Sequence, residues 1–326
     1  MRRSTGMMRR DLGALLPVLL LGRGAAGAGS GQGATVGILA PGPLRPIASF
    51  KQRLRELGWI EGRNVRFEDR WAEDDDTRYA ALSAELVALP VDAILTWSTP
   101  AVLAAKRTTT KIPIVMGGIG DPVGVGAVSS LAHPGGNVTG FSTQNFELEE
   151  KRFELLRELV PLAHIAMLGN AANPYSALAM KHVRRLAEAA GLNFEAVNID
   201  EAGGLDGGLD KLRGAHPDGV LVTAAPALFP SRKLIVGFMA ANRLPAVYPF
   251  REFAEAGGLV AYATNFDVLF RQAAGYVDKI LKGAATGELP VQQATTFELL
   301  VNLAAAKALG LTIPRAILAR ADEVIE

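Results

Sequence analysis

Hydrogen-bonding residues stand directly before proline at three places in the sequence, Ser98-Thr99-Pro100, Asp121-Pro122 and Asn173-Pro174, and Ala225-Pro226 is a similar turn without the polar residue. Ser, Thr, Asp and Asn are preferred at the N-cap of a helix, and proline at the first helical position. All four turns follow predicted strands. Their helix N-termini should therefore gather at the carboxyl edge of a sheet, where backbone N–H groups attract an anion such as a carboxylate.

Charged residues lie close to two of the predicted strand ends. Asp121 would repel a bound carboxylate but attract an ammonium group, so the turns together predict a site for a zwitterion. Arg251 and Glu252 directly follow the predicted strand at residues 246–248 and are further candidates. A plain surface ion pair is the alternative for these two residues.

Aromatic residues also occur at predicted strand ends, where they could form the apolar part of a pocket. Tyr248, Tyr262 and Pro226 are candidate residues of the site. Trp97 and Phe250 have similar positions. Aromatic residues at strand ends more often belong to the core, and that alternative stays open here.

Signatures of catalysis and metal binding are missing from the sequence. It has no cysteine, and its four histidines lack the spacing of a metal site. It also has neither a Gly-x-Ser-x-Gly elbow nor a phosphate-binding loop. We therefore expect no catalytic residue, no metal and no cofactor.

Composition and charge indicate an ordinary globular protein of 326 residues, 49% of them hydrophobic and 21% charged. The 34 basic and 33 acidic side chains give a net charge of +1. A balance of this kind provides no general attraction to a nucleic-acid backbone, so nucleic acid is not an expected partner.

The first 28 residues have the pattern of an export signal. Four arginines precede an uncharged apolar run at residues 12–21, which is too short to span a bilayer, and small residues follow at 25–28. We expect cleavage after about Ala28, by the Sec or the Tat route, and a periplasmic location without stable membrane insertion. No cysteine is present for a lipid anchor.

Short apolar runs alternate with amphipathic stretches in two similar series, which predicts an α/β fold with parallel sheets. The predicted strands lie near residues 36–39, 65–71, 91–97, 112–117 and 138–142, and then 165–168, 194–199, 220–223, 246–248 and 259–263. Two lobes should join near residue 143. The tail predicts a helix at 266–281, a strand at 297–301 and a helix at 304–309.

Several motifs resemble the ABC transporter substrate-binding protein family that includes tryptophan- and tyrosine-binding members. They are Leu57-Gly58-Trp59-Ile60-Glu61-Gly62-Arg63-Asn64, Gly120-Asp121-Pro122-Val123-Gly124, Pro134-Gly135-Gly136-Asn137-Val138-Thr139-Gly140, Arg251-Glu252-Phe253 and Ala321-Asp322-Glu323-Val324-Ile325. The resemblance covers residues 35 to the end. It implies a type I periplasmic binding-protein fold, with two Rossmann-like lobes joined by a three-crossover hinge. Lobe 1 would hold residues 29–142 and 266–291, and lobe 2 residues 143–265 and 292–326.

The resemblance also implies a ligand site between the lobes. A ligand carboxylate would lie near Ser98 and Thr99, and Asp121, Asn170 and Asn173 would complete the polar surroundings. Two departures from the family pattern fall at these turns: Trp97 precedes Ser98-Thr99-Pro100, and Gly169 stands where an aromatic residue is usual. An aromatic amino acid is therefore not assumed as the ligand, and a small amino acid or an organic or aromatic acid stays open.

The implied function is capture of a small carboxylate-bearing ligand for an ABC importer. The expected partners are that ligand and a membrane permease with its ATPase subunit, and the protein should be a monomer. A ligand-sensing module and an exported α/β enzyme are alternatives, because fold does not determine function. A transcription regulator would need an N-terminal helix-turn-helix, for which residues 1–34 are too short.

Overall fold

Strands and helices alternate along the computed structural model, which describes residues 33–73, 75–143, 145–199 and 203–326. The predicted export signal, residues 1–28, lies outside the described residues. In chain order the strands are β1 (Ala34–Ala40), β2 (Val65–Trp71), β3 (Ala93–Thr96), β4 (Ile114–Ile119), β5 (Val138–Ser142), β6 (His164–Gly169), β7 (Asn193–Asn198), β8 (Gly219–Val222), β9 (Ala246–Tyr248), β10 (Val260–Thr264), β11 (Gln292–Gln293), β12 (Phe297–Asn302) and β13 (Glu323–Ile325).

Helices connect these strands. They are α1 (Arg45–Glu56), α2 (Tyr79–Ala88), α3 (Thr99–Thr108), α4 (Asn145–Leu159), α5 (Pro174–Ala189), α6 (Gly204–Ala215), α7 (Arg232–Ala241), α8 (Arg251–Glu255), α9 (Phe266–Leu281), α10 (Leu303–Leu309) and α11 (Arg315–Leu318). Among the described residues, none of these helices combines the length and the apolar composition needed to cross a bilayer.

Two sheets organise the strands, which confirms the predicted two-lobed α/β fold. The first sheet has the order β11-β5-β4-β3-β1-β2 and is parallel throughout. Its central strands β1, β3 and β4 are buried except at Ala34, the first residue of β1, as expected for parallel strands covered by helices on both faces.

The second sheet has the order β13-β12-β10-β9-β8-β6-β7. Its strands are parallel except at one junction, where β12 runs antiparallel to β10. The chain returns from β11 of the first sheet through residues 294–296 and enters the second sheet as β12, antiparallel to β10.

The chain passes between the two sheets three times, after Ser142, after Thr264 and after Gln293. Helix α9 therefore packs on the first sheet, although it follows a strand of the second. The short strand β11 still pairs with Phe141 and Ser142 of the first sheet, two residues beyond the boundary at 291 that the sequence predicts. The exact lobe boundaries stay a prediction.

Helix α1 illustrates how the sequence covers a sheet. Pro46 occupies the first turn, and Ile47, Phe50 and Leu54 recur at helical spacing and are buried. The chain leaves the helix through Gly58, which has a φ of 95° that glycine adopts without strain. Together with α9, which it contacts extensively, α1 covers one face of the first sheet.

Apolar side chains of both sheets join in one buried cluster. Val36 and Leu95 represent the first sheet, Leu168 and Val222 the second, and the aromatic Trp97 belongs to the same cluster. Residues Gly33–Glu326 accordingly form one compact unit.

Candidate functional site

A cavity lies where the carboxyl ends of strands from both sheets meet, and it holds about 420 Å³ of empty space, including its opening to solvent. Such edges are the usual ligand sites of open α/β sheets. Its walls are formed by Trp97, Ser98, Thr99, Gly118, Ile119, Gly120, Thr143, Arg152, Asn173, Tyr175, Ala224, Pro226, Pro249, Phe250, Thr264 and Phe266.

The turn after β3 brings the N-terminus of α3 to the cavity. Ser98 is the N-cap, and its Oγ accepts a hydrogen bond from the Ala101 N–H at 3.3 Å. Its φ of 90° is unusual for a residue with a side chain, and such strain concentrates at functional sites. Thr99 follows at the first helical position and is also buried.

The turn after β6 provides a second helix N-terminus. Asn173 caps α5, because its Oδ1 accepts from the N–H groups of Tyr175 at 3.0 Å and Ser176 at 3.2 Å. Pro174 occupies the first helical position, as its fixed φ favours. Two helix N-termini, one from each sheet, therefore border the same cavity and give it partial positive charge.

Helix α4 contributes a buried charged pair beside the cavity. The side chains of Arg152 and Glu149 are 1% and 0% exposed, and Arg152 Nη1 lies 2.9 Å from Glu149 Oε1. The Tyr175 hydroxyl donates to the same Oε1 at 3.1 Å. Burial raises the pKa of Glu149, with Arg152 acting in the opposite direction, and burial also raises the pKa of Tyr175 well above its usual value.

Several buried polar atoms at this site have unused hydrogen-bonding capacity. Arg152 Nε donates to the Tyr262 carbonyl oxygen at 2.8 Å, but Nη1 has no aligned hydrogen-bond acceptor among the described residues. The hydroxyls of Thr143 and Thr264, both of which line the cavity, also lack partners in that part of the chain. Unpaired buried polar groups cost free energy, which a bound ligand with suitable oxygens would recover.

Aromatic rings and prolines form the apolar wall. Trp97 meets Phe266 edge-to-face, with ring centroids 5.4 Å apart, and meets Phe250 at 6.1 Å. Pro226 and Pro249 complete this wall. The cavity thus combines a polar end around Arg152 with an apolar end around Trp97, which is the usual composition of a small-molecule site.

Comparisons with known proteins agree with this arrangement. Residues 35–325 match the family described as ABC transporter substrate binding protein. The chain belongs to this family.

Two relatives are also similar in sequence. The Tyrosine-binding protein of Clostridioides difficile (strain R20291) is 27% identical over 266 residues, which cover 80% of this chain and 75% of that protein. The solved ABC domain from Streptococcus pneumoniae in complex with L-Trp is 25% identical and has a TM-score of 0.83, covering 90% of this chain and 100% of that one.

A second solved structure shares the fold. The ligand-free, open structure of a substrate binding protein with adhesive properties from Clostridium difficile is 23% identical, with a TM-score of 0.65 and coverage of 90% of this chain and 99% of that one. Type I periplasmic binding proteins, such as a leucine binding protein from Thermotoga maritima (14% identity, TM-score 0.57, 76% of this chain and 82% of that one), share the fold as well.

Four of the residues that the sequence predicts for the site line the cavity of this substrate-binding protein. They are Ser98, Thr99, Asn173 and Pro226. Tyr262 contributes through its backbone, because its carbonyl oxygen holds Arg152, while its ring packs near Phe297.

Asp121 and Asn170 lie at the predicted turns but not in the cavity wall. Asp121 has a φ of 40°, and its carboxylate accepts a hydrogen bond from the Gly124 N–H at 2.9 Å. Asn170 stabilises its own turn, because its Oδ1 accepts from the Ala172 N–H at 3.0 Å. Their predicted contact with a ligand stays a prediction.

Tyr248, Arg251 and Glu252 also lie outside the cavity wall. Tyr248 is 1% exposed and stacks on Phe253 with centroids 5.0 Å apart, so its ring belongs to the core. Burial raises the pKa of Glu252, which lies in the first turn of α8.

Arg251 belongs to a separate ion-pair network. It contacts Glu255 at 2.8 Å, Glu298 at 2.6 Å and Glu323 at 2.7 Å. These three carboxylates occupy all of its guanidinium nitrogens.

Arg152 and Tyr175 are the functional candidates that the motif reasoning misses. Helix α4 is rich in Glu and Lys, and no motif marks it as part of a site. The missed signal is periodicity: Glu149, Arg152, Leu156 and Leu159 recur at spacings of three and four residues and are all buried. Charged residues on the buried face of a helix are rare unless they are paired, as Glu149 and Arg152 are.

Proposed function

We propose that this protein captures a small carboxylate-bearing molecule in the cavity between its two sheets and delivers it to an ABC importer. The observation that carries the proposal is Arg152, a buried cation on the cavity wall whose Nη1 pairs with Glu149 without an aligned hydrogen bond. It lies beside two unpaired threonine hydroxyls and two helix N-termini. All of these groups favour an anionic oxygen ligand.

Ligand capture would couple to closure of the two lobes. Ser98 and Thr99 come from the first sheet, whereas Arg152 and Asn173 come from the second. A ligand that contacts both sets binds the closed state more tightly than the open one, and therefore shifts the population towards closure. In this proposal the periplasmic protein, acting as a monomer after export, presents the closed form to a membrane permease with its ATPase subunit.

The relatives support binding rather than catalysis. The two most similar relatives described above carry the names of amino-acid ligands, tyrosine and L-Trp. For this chain we propose the shared chemical feature of those ligands, the carboxylate.

A thermal-unfolding screen tests the proposal. The purified protein is first unfolded and refolded to remove any bound compound, and is then heated with amino acids, aromatic acids and aliphatic acids, each beside its primary amide. A ligand at a hundredfold excess over its Kd should raise the free energy of unfolding by about 2.7 kcal/mol. Stabilisation by an acid but not by its amide is the expected result. Equal stabilisation by both, or chemical turnover of the bound compound, would overturn the proposal.

A further inference from the structure

A second cavity adjoins the first and belongs to no site described so far. It is lined by Pro41, Gly42, Pro43, Leu44, Trp97, Pro226, Phe229, Pro230 and Arg232 and holds about 590 Å³ of empty space, including its opening to solvent. We call it the outer chamber, and the cavity around Arg152 the inner chamber.

Trp97 and Pro226 line both chambers and so form their common wall. The outer chamber is also built from both sheets, since residues 41–44 follow β1 and residues 226–232 follow β8. The two chambers therefore lie along one cleft, with the indole ring between them.

The outer chamber is apolar. Four prolines, a leucine and two aromatic residues make up most of its wall. The exception is Arg232, whose guanidinium carbon lies 4.8 Å from the Phe229 ring centroid, and whose Nη1 donates to the Phe229 carbonyl oxygen at 3.1 Å. Such a surface suits a hydrocarbon chain or an aromatic ring.

The charges of the two chambers agree in sign. Among the described residues that line either one, Arg152 and Arg232 are the charged side chains, and both are cations. Asp121, the sequence candidate for an ammonium partner, lies outside both walls and is held by the Gly124 N–H. A ligand ammonium would therefore meet no carboxylate among the lining residues, and the neighbouring Glu149 is fully buried, with its Oε1 already in contact with Arg152 and Tyr175.

We propose that the ligand is an elongated organic acid that lacks an ammonium group: its carboxylate binds in the inner chamber, and its apolar body passes Trp97 into the outer chamber. This inference rests on the proposed function, because it assumes that the inner chamber takes the carboxylate.

Two calorimetric comparisons on the refolded protein test the inference. The first compares 3-(4-hydroxyphenyl)propionate with tyrosine, which differ only in the ammonium group. The second follows the phenyl-substituted acids from phenylacetate to 6-phenylhexanoate. The acid without the ammonium should bind at least tenfold more tightly. Affinity should rise about fourfold for each methylene that moves the ring into the outer chamber.

A variant that fills the outer chamber supplies the structural control. A side chain built on Gly42 meets no other atom within 4 Å, and Gly42 has no positive φ, so Gly42→Phe should fold and occupy this space. The substitution should abolish the increase in affinity with chain length and leave the affinity for phenylacetate unchanged. Gly237→Phe, on the exposed face of α7 where a side chain also meets open space, is the matched substitution and should change neither.

The outcomes separate the two proposals. Tighter binding of tyrosine, or equal loss of short and long acids in Gly42→Phe, would overturn this inference and leave the proposed function standing. Failure of every acid to bind the unaltered protein would overturn both.

Discussion

Arg152 and Arg251 both lie on helices that pack against the second sheet, and both have little solvent exposure, yet their surroundings differ. Arg251 forms ion pairs with three carboxylates, on α8, β12 and β13, and these ion pairs connect the three elements. Arg152 contacts one carboxylate, which also accepts from Tyr175, and its Nη1 has no aligned hydrogen bond although it borders a cavity. An arginine indicates a binding site when it borders a cavity and its hydrogen bonds to neighbouring residues are incomplete. Its position directly after a strand is not sufficient.

Removal of the Arg152 charge should have the largest effect on ligand affinity and on stability. Arg152→Gln should weaken binding of a carboxylate ligand by about 2 kcal/mol, or about thirtyfold, because it removes a charge-assisted hydrogen bond in a buried site. It should also destabilise the fold by about 3 kcal/mol, since Glu149 is left buried without its partner. Calorimetry and urea unfolding measure the two effects.

A double variant separates binding from folding. Glu149→Gln combined with Arg152→Gln leaves a neutral amide pair and should recover most of the stability but none of the affinity. Recovery of affinity in the double variant would show that Arg152 only supports the structure.

Arg251→Gln should show the converse pattern. We expect a loss of about 2 kcal/mol in the free energy of unfolding, because Glu298, whose side chain is 11% exposed, loses its cation. Ligand affinity should stay within twofold of the unaltered protein. A large loss of ligand affinity at unchanged stability would show that Arg251 contacts the ligand, as the sequence predicts.

The pH dependence of stability tests the environment of Glu149. Its pKa is raised above the ordinary 4.5, so the native state keeps a proton that the unfolded chain releases above that pH. The stability that this proton provides is complete below pH 4.5 and is lost as the pH rises through the raised native pKa, by at most about 1.4 kcal/mol per pH unit.

The Glu149→Gln variant should not show this loss of stability with rising pH. Glu252 and Glu298, whose pKa values are also raised by burial, are present in both proteins and therefore contribute equally. Urea unfolding between pH 4 and pH 8 gives the difference between the two proteins. Parallel stability curves would mean that Glu149 titrates as an ordinary carboxyl.

The smallest expected effect is that of Asp121→Asn. Asn retains an acceptor for the Gly124 N–H and tolerates a positive φ, so the substitution removes only the charge. We expect the affinity for an acid without an ammonium to change less than twofold in titration calorimetry. A tenfold loss for an amino-acid ligand would instead support the ammonium contact that the sequence predicts.

Much of the fold was predictable because its signals are local. The strands predicted at residues 65–71, 138–142 and 246–248 coincide with β2, β5 and β9, and the helix predicted at 266–281 is α9. The short strands β11 and β13 were missed. Their side chains are largely exposed, and two or three residues carry no periodicity.

The site was predictable only where a local motif marks it. Ser98 and Asn173 were found because a cap before a proline is a short-range pattern. Arg152 lies in the middle of a helix, and its neighbours Tyr175, Tyr262 and Thr264 are distant in sequence. Nothing local distinguishes such a residue from a surface arginine except the burial of its helix face.

The most direct test of the central claim is a crystal structure of the refolded protein with 3-(4-hydroxyphenyl)propionate. We expect the ligand carboxylate within hydrogen-bonding distance of Arg152 and of the Thr143 or Thr264 hydroxyl, with the ring directed towards Trp97. A carboxylate bound at the Arg251 network, or a ring at Arg152 with the carboxylate in solvent, would contradict it.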